Sequence, residues 1–186
     1  MLYIIAGKYK GFKFYEVPSM KTRSTSHLLR KALFDTIRDF VDGSVVLDLF
    51  SGSGAYGFEA LSRNAKKVYL VDNFFLAFKT IEKNIQKIHL NKEQVQFFFN
   101  DAFKMLKKFI QKELIFDLII LDPPYFYDFY LFLFQSLDKI THDKSIIVLE
   151  THHKTVLKLS VDNFILFKEK KYGNKKINYY HKKIFL

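Results

Sequence analysis

A chain of 186 residues is long enough for one domain with a proper core and too short for two. Hydrophobic residues make up 49% and charged residues 26%, a soluble globular balance, and no apolar run is long enough to span a bilayer. The absence of Cys excludes a disulfide framework and a thiolate metal site, and the net charge of +11 directs attention to a polyanionic partner.

That charge is unevenly placed. Residues 1–38 hold eight Lys/Arg against two Asp/Glu, and residues 151–186 hold nine against two. Residues 39–150 hold thirteen against fifteen. Two basic flanks around a near-neutral middle suggest that the chain ends hold a nucleic acid while the middle does something else. The only apolar run near the start is 2–6, so no signal peptide is expected, and a cytoplasmic protein is the expectation.

In chain order, residues 2–5 and 11–17 read as a small hairpin bearing Lys8, Lys10 and Lys13 among Tyr9, Phe12 and Phe14. Lysines interleaved with aromatics suit phosphate contact and base stacking. Leu29, Leu33, Ile37 and Phe40 recur at three- and four-residue spacing, which predicts an amphipathic helix over 27–40, with a Ser or Thr before it as N-cap. Strands are then predicted at 45–50, 67–71, 95–99, 117–121 and 145–150. Helices are predicted between them at 54–63, 74–89, 102–111 and 128–140. This alternation predicts βαβ units and a parallel sheet covered on both faces. Runs such as VVLDLF and SIIVL lack polar alternation, as doubly buried strands should. Residues 163–169 and 175–185, joined at Gly173 and Asn174, predict a terminal antiparallel hairpin. We expect one domain, with 1–22 as an N-terminal hairpin extension and 23–186 as the core.

Ligands of open parallel sheets bind beyond the carboxyl ends of the strands, and four of those ends carry an acid or an amide. The first is Asp48-Leu49-Phe50, followed by Gly52, Gly54 and Gly57 in a G-x-G-x-x-G spacing between strand and helix. The second is Asp72-Asn73, with Asp72 twenty residues past Gly52, the spacing for a carboxylate on ribose hydroxyls. The third is Asn100-Asp101-Ala102, read either as a holder of an adenine amino group or as a helix cap. The fourth is Asp122-Pro123-Pro124-Tyr125. Two prolines there remove two backbone donors and leave carbonyl acceptors, next to a carboxylate and a ring. That set matches an exocyclic amino group on a flat base. The six His show no metal-ligand spacing, so no metal is expected.

The run DLFSGSGAYGFEALSR followed by DPPY resembles class I S-adenosylmethionine-dependent methyltransferases. With IIAGKYKGFKF, the segment 23–34 and KKYGNKKINYY, nearly the whole chain is similar to the RsmD-type guanine-N2 methyltransferases of 16S ribosomal RNA. The resemblance implies a Rossmann-like, seven-stranded, mostly parallel sheet ending in an antiparallel hairpin. It implies S-adenosylmethionine as cofactor, held by Asp48, Phe50, Gly52, Gly54, Asp72, Asn73, Asp101 and Ala102. It places the target guanine at Asp122, Pro123, Pro124 and Tyr125. RNA contacts are expected at Lys8, Lys10, Arg23, Arg30, Lys170, Lys171, Lys175 and Lys176, on a monomer without membrane attachment. Where the family carries Arg-Pro-Thr-x-Asp-Arg-x-Arg, this chain reads Arg23-Ser24-Thr25-Ser26-His27-Leu28-Leu29-Arg30, without the Pro, the Asp and one Arg. The alternatives are a DNA adenine-N6 or cytosine-N4 methyltransferase, a dehydrogenase of the NAD type, and a nucleic-acid-binding module with a decayed pocket.

Overall fold

The computed structural model describes residues 2–18, 27–123 and 129–183. A two-stranded hairpin opens the chain, β1 (Leu2–Tyr3) against β2 (Lys13–Phe14). Helix α1 (His27–Thr36) follows. It is shorter than its apolar spacing predicts, because Ile37 leaves the helical region at φ −106°, ψ 21° and a 3₁₀ turn (Arg38–Phe40) takes over. The residues expected to cap it lie outside the described ones.

The predicted alternation is present. It runs β3 (Val45–Leu49), α2 (Ala55–Ser62), β4 (Lys67–Asp72), α3 (Phe75–Ile88), β5 (Val95–Phe99), α4 (Ala102–Gln111), β6 (Phe116–Leu121), α5 (Phe129–Asp138) and β7 (Thr141–His152). A two-residue β8 (Ser160–Val161) and the hairpin β9 (Phe164–Tyr172) and β10 (Lys175–Lys182) end the fold. The large sheet has the order β5-β4-β3-β6-β7-β10-β9-β8. Strands β3 to β7 are parallel, and β10 runs antiparallel to β7 and β9. The seven expected strands are thus joined by an eighth, β8, which pairs Ser160 with Ile165 and Val161 with Phe164 at the edge. Strand β7 outruns its predicted bounds at both ends: Thr141 pairs with Phe116 of β6, and β10 pairs its last two residues, Thr151 with Lys176 and His152 with Lys175.

Both faces of the sheet are covered. The hairpin, α1, α2 and α3 bury Phe14, Leu33, Phe34, Phe58 and Ile81 on one side. Helices α4 and α5 bury Met105, Phe109, Leu133 and Phe134 on the other. Part of the abundant Phe is spent there: Tyr69, Phe109 and Phe116 meet edge to face with centroids 5.3–5.8 Å apart. No helix among the described residues is long and apolar enough to cross a membrane.

A buried carboxylate fastens the hairpin to the core. Glu59 of α2 is fully buried and accepts hydrogen bonds from the backbone N–H of Ile5 at 2.8 Å and Ala6 at 3.1 Å. It also accepts from Arg63 Nε at 2.9 Å, and Arg30 Nε lies 3.6 Å away. Arg30, likewise fully buried, donates to the Tyr3 carbonyl and sits 5.7 Å from the Phe14 ring. Removing one partner of such a pair strands the other charge in the interior. Glu59→Ala is therefore expected to lower the unfolding free energy by about 3–5 kcal/mol, read from urea denaturation. A loss below about 1 kcal/mol, as for a surface pair, would show that Glu59 does not anchor the hairpin.

Candidate active site

The sheet order reverses between β3 and β6, and there the crevice of an open α/β sheet forms. Leu49 of β3 pairs with Leu121 of β6, which pairs with Leu149 of β7. This register brings Asp48, Asp122 and Glu150 to one edge on three adjacent strands.

The loop after β3 has the geometry of a cradle. Phe50, Gly52 and Gly54 all take positive φ, at 72°, 53° and 80°. For Phe50 that is a strained conformation, held by bonds from the Phe50 and Ser51 N–H groups to the Val71 carbonyl, both 3.0 Å. A Cβ on Gly52 would meet no atom within 4 Å, so open space stands over the backbone where a ligand would lie. Gly57, the last of the spaced glycines, serves packing instead. A Cβ there would come within 2.4 Å of Leu70 Cδ2 and 2.8 Å of Val68 Cγ1. Helix α2 starts at this loop with no side-chain cap.

The carboxylates differ in their partners. Asp48 is buried and accepts from Gly57 N–H at 3.0 Å. Burial pushes its carboxyl up to about 8, and the charges of Asp122 and Asp72 push the same way. Asp72 is half-buried and accepts from Gly52 N–H and Phe74 N–H, each at 2.8 Å. Burial raises it while those amides oppose the shift. The two oxygens offer about four acceptor sites, so capacity for a hydroxyl remains beyond the Gly52, Phe74 and Asn73 amides. Asp101 Oδ1 caps α4 by accepting from Lys104 N–H at 3.0 Å, the cap reading of that residue, with Ala102 buried behind it and Asn73 exposed.

Asp122 ends β6. Burial first, and the neighbouring Glu150 second, push its carboxyl up to about 7, while Lys175 opposes. Glu150 is buried and accepts from Tyr56 Oη at 2.7 Å and from Lys175 Nζ. Pro123 is buried, while Pro124 and Tyr125 lie outside the described residues.

Sequence reasoning missed three residues here. Glu150 extends the pattern of acid-ended strands to a fifth, a signal present in SIIVLE. Tyr56 stands on the helix after the glycine loop and is held by Glu150. Asn84, buried in α3, accepts from Tyr15 N–H at 2.8 Å and donates to the carbonyls of Tyr15 at 3.0 Å and Ser53 at 3.1 Å. It ties the N-terminal segment directly to the glycine loop.

The expected RNA contacts need correction in part. Lys8, Lys10 and Lys171 are exposed, and Arg23 lies outside the described residues. Arg30 is fully buried in the Glu59 network, so it does not face a polyanion. Lys176 is 4% exposed and bonded to the Thr155 carbonyl and Glu169, both at 2.8 Å. Lys175 turns to Glu150 at the crevice, and Lys170 donates to Thr36 Oγ1 at 2.9 Å. Charge alone does not reveal which lysines the fold itself consumes.

Asn84→Leu keeps the bulk and removes every bond to Tyr15 and Ser53. It is expected to weaken binding of S-adenosylhomocysteine, the product nucleoside that the resemblance implies, by roughly tenfold, the worth of one or two hydrogen bonds. Calorimetry on the folded variant checks this; an unaltered affinity would detach Asn84 from the loop.

Comparison with known proteins agrees with this geometry. The family model described as conserved hypothetical protein 95 matches residues 2–181. The Bacillus subtilis protein YlbH is 31% identical over 182 residues, covering 97% of this chain and 98% of its own. The Haemophilus influenzae ribosomal RNA small subunit methyltransferase D is 31% identical over 175 residues, with 91% and 88% covered. The Escherichia coli protein yhhF superposes with a TM-score of 0.85 at 25% identity, with 97% of both chains covered. With the family model spanning nearly its whole length and relatives aligned almost end to end, the chain belongs to the conserved hypothetical protein 95 family, the RsmD-type methyltransferases.

Proposed function

We propose that this protein methylates the exocyclic N2 of a guanine in 16S ribosomal RNA, with S-adenosylmethionine as methyl donor. Methyl transfer to ribosomal RNA follows from family membership; the guanine and its N2 are our reading of the site. The observation that carries it is the pairing of two unlike walls across one crevice. On one side is an open glycine cradle with Asp48 and Asp72, and on the other is Asp122 backed by Glu150, Lys175 and Tyr56. A dehydrogenase leaves the second wall without a role.

The residues fit the donor. Gly52 leaves room for it against the backbone, Asp72 offers acceptors to ribose hydroxyls, and the acidic edge favours a cation. When bound, S-adenosylmethionine supplies an electrophilic methyl group on a sulfonium sulfur. Asp101 and Ala102 stand at the end of β5, where an adenine would lie.

The chain's own task is to hold and deprotonate the amino nitrogen. An exocyclic amine is a poor nucleophile because its lone pair is delocalised into the ring. In our reading Asp122 accepts a hydrogen bond from the amino group and the Pro123 carbonyl accepts a second, which favours a pyramidal nitrogen. The resemblance assigns stacking on the base to Tyr125. Burial raises the Asp122 carboxyl to about 7, and a cation beside it favours the ionised form, which can receive the proton that the nitrogen sheds. Burial does most to raise the proton affinity of Asp122, the charge of Glu150 adds to it and Lys175 opposes it. Orienting the amine in line supplies much of the remaining rate.

Asp122→Ala is expected to lower methyl transfer to ribosomal RNA by about 10²–10⁴-fold, followed with a labelled methyl group; turnover at the wild-type rate would remove Asp122 from the reaction. Mapping modified bases in RNA from cells lacking this protein tests the target. One small-subunit guanine should lose its N2 methyl group. Loss of a methyl group from an adenine or a cytosine instead would refute the guanine assignment.

A further inference from the structure

We infer that the exposed face of α3, continued by the N-terminal hairpin, is a docking surface for a single-stranded or looped stretch of the RNA substrate. This rests on the RNA methyltransferase reading above and adds a path that leads to its crevice.

Helix α3 starts just after Asp72, with Phe74 as its N-cap on the rim of the crevice, and ends beside the hairpin. Lys79, Lys83 and Lys87 recur every fourth residue along it, so they form one stripe with steps of about 6 Å. Lys79 and Lys83 are exposed and Lys87 is half-buried. Aromatic rings lie beside the first and last of these ammonium groups. Lys79 Nζ lies 5.9 Å from the Phe75 ring centre and 5.8 Å from that of Phe78. Lys87 Nζ lies 4.6 Å from Tyr15 and 5.7 Å from Phe12. Phe75, Phe99 and Tyr15 are 53%, 49% and 47% exposed, open to a stacking partner. Phe75 and Phe78 both meet Phe99 at the end of β5, 5.9 and 5.5 Å away, which carries the aromatic row to the crevice. At the other end the stripe runs into exposed Lys8, Lys10 and Lys13 of the hairpin.

Two carboxylates share this face: Glu82, bonded to Lys79 at 3.0 Å, and Glu16 next to Tyr15. Six lysines against these two acids and Asp72 at the rim leave it net positive. Ammonium groups for phosphates with open rings for unstacked bases are the parts of a single-strand track. Helix α4 provides the contrast. It packs on the opposite face of the sheet and exposes Lys107, Lys108 and Lys112, yet among the described residues none of these lies over a ring. Lys108 and Lys112 line a pocket with Phe97, Phe98 and Phe99, but of the two helices only α3 places ammonium groups over rings among the described residues. The tail lysines expected to bind RNA are partly consumed inside the fold, so the basic path passes instead from the hairpin onto α3.

The test compares two triple variants of equal charge change, Lys79→Gln/Lys83→Gln/Lys87→Gln on α3 and Lys107→Gln/Lys108→Gln/Lys112→Gln on α4. The probe is small-subunit ribosomal RNA from cells lacking this protein, titrated over a range of salt concentrations. The α3 variant should bind roughly tenfold more weakly, with a salt slope shallower by about 2, from three phosphate contacts at about 0.7 each. Its KM for RNA should rise while kcat at saturating RNA and S-adenosylhomocysteine affinity hold, and the α4 variant should match wild type. An α3 variant with wild-type affinity and slope, or an α4 variant that loses as much, would overturn the docking surface and leave the enzyme assignment standing. Should the wild-type protein transfer no methyl group to RNA at all, that assignment fails and the docking surface with it.

Discussion

Three carboxylates gathered on adjacent strands, with one ammonium group among the described residues to balance them, are the constraint on which this structure turns. Asp48, Asp122 and Glu150 stand at the ends of β3, β6 and β7, and Lys175 from β10 reaches Glu150. Burying like charges side by side is costly, and the protein answers by raising Asp48 to about 8 and Asp122 to about 7. Below neutral pH Asp48 and Asp122 are therefore largely protonated. A cation in the crevice would let both groups ionise without that penalty. The fold thus carries an electrostatic deficit shaped for a positively charged ligand.

The rest of the chain keeps this edge in place. Parallel pairing from Val45 to Leu149 fixes the height of each acid, and α2 packs on β3 and β4 closely enough that only Gly fits at residue 57. Glu59, two residues further along α2, holds the hairpin through backbone N–H groups, and Asn84 clamps the segment after it onto Ser53. The N-terminal extension is therefore joined by hydrogen bonds both to the core and to the loop that faces the ligand.

Much of this was legible in the sequence. Unbroken apolar runs marked the buried strands, and spaced glycines after Asp48 marked the turn where the chain passes from β3 to α2. Asp72 and Asp122 followed from their places at strand ends. What escaped depends on long-range register. Lys175 meets Glu150 only because β10 returns antiparallel beside β7, a pairing that no local pattern encodes. Arg30 and Lys176 looked like surface charges because composition counts cations without showing which ones an interior acid or carbonyl will claim. The Asp101 cap was an open alternative that the α4 geometry shows to be present, with its second oxygen left for other partners.

Binding of S-adenosylmethionine and S-adenosylhomocysteine, compared by calorimetry between about pH 5.5 and 9, tests the electrostatic account most directly. The two differ chiefly in the charge on sulfur. As pH rises through about 7 and about 8, Asp122 and Asp48 ionise, so affinity for the sulfonium form should climb relative to the neutral product, with protons released on binding. An affinity ratio that stays flat across that range, with no proton release, would contradict it.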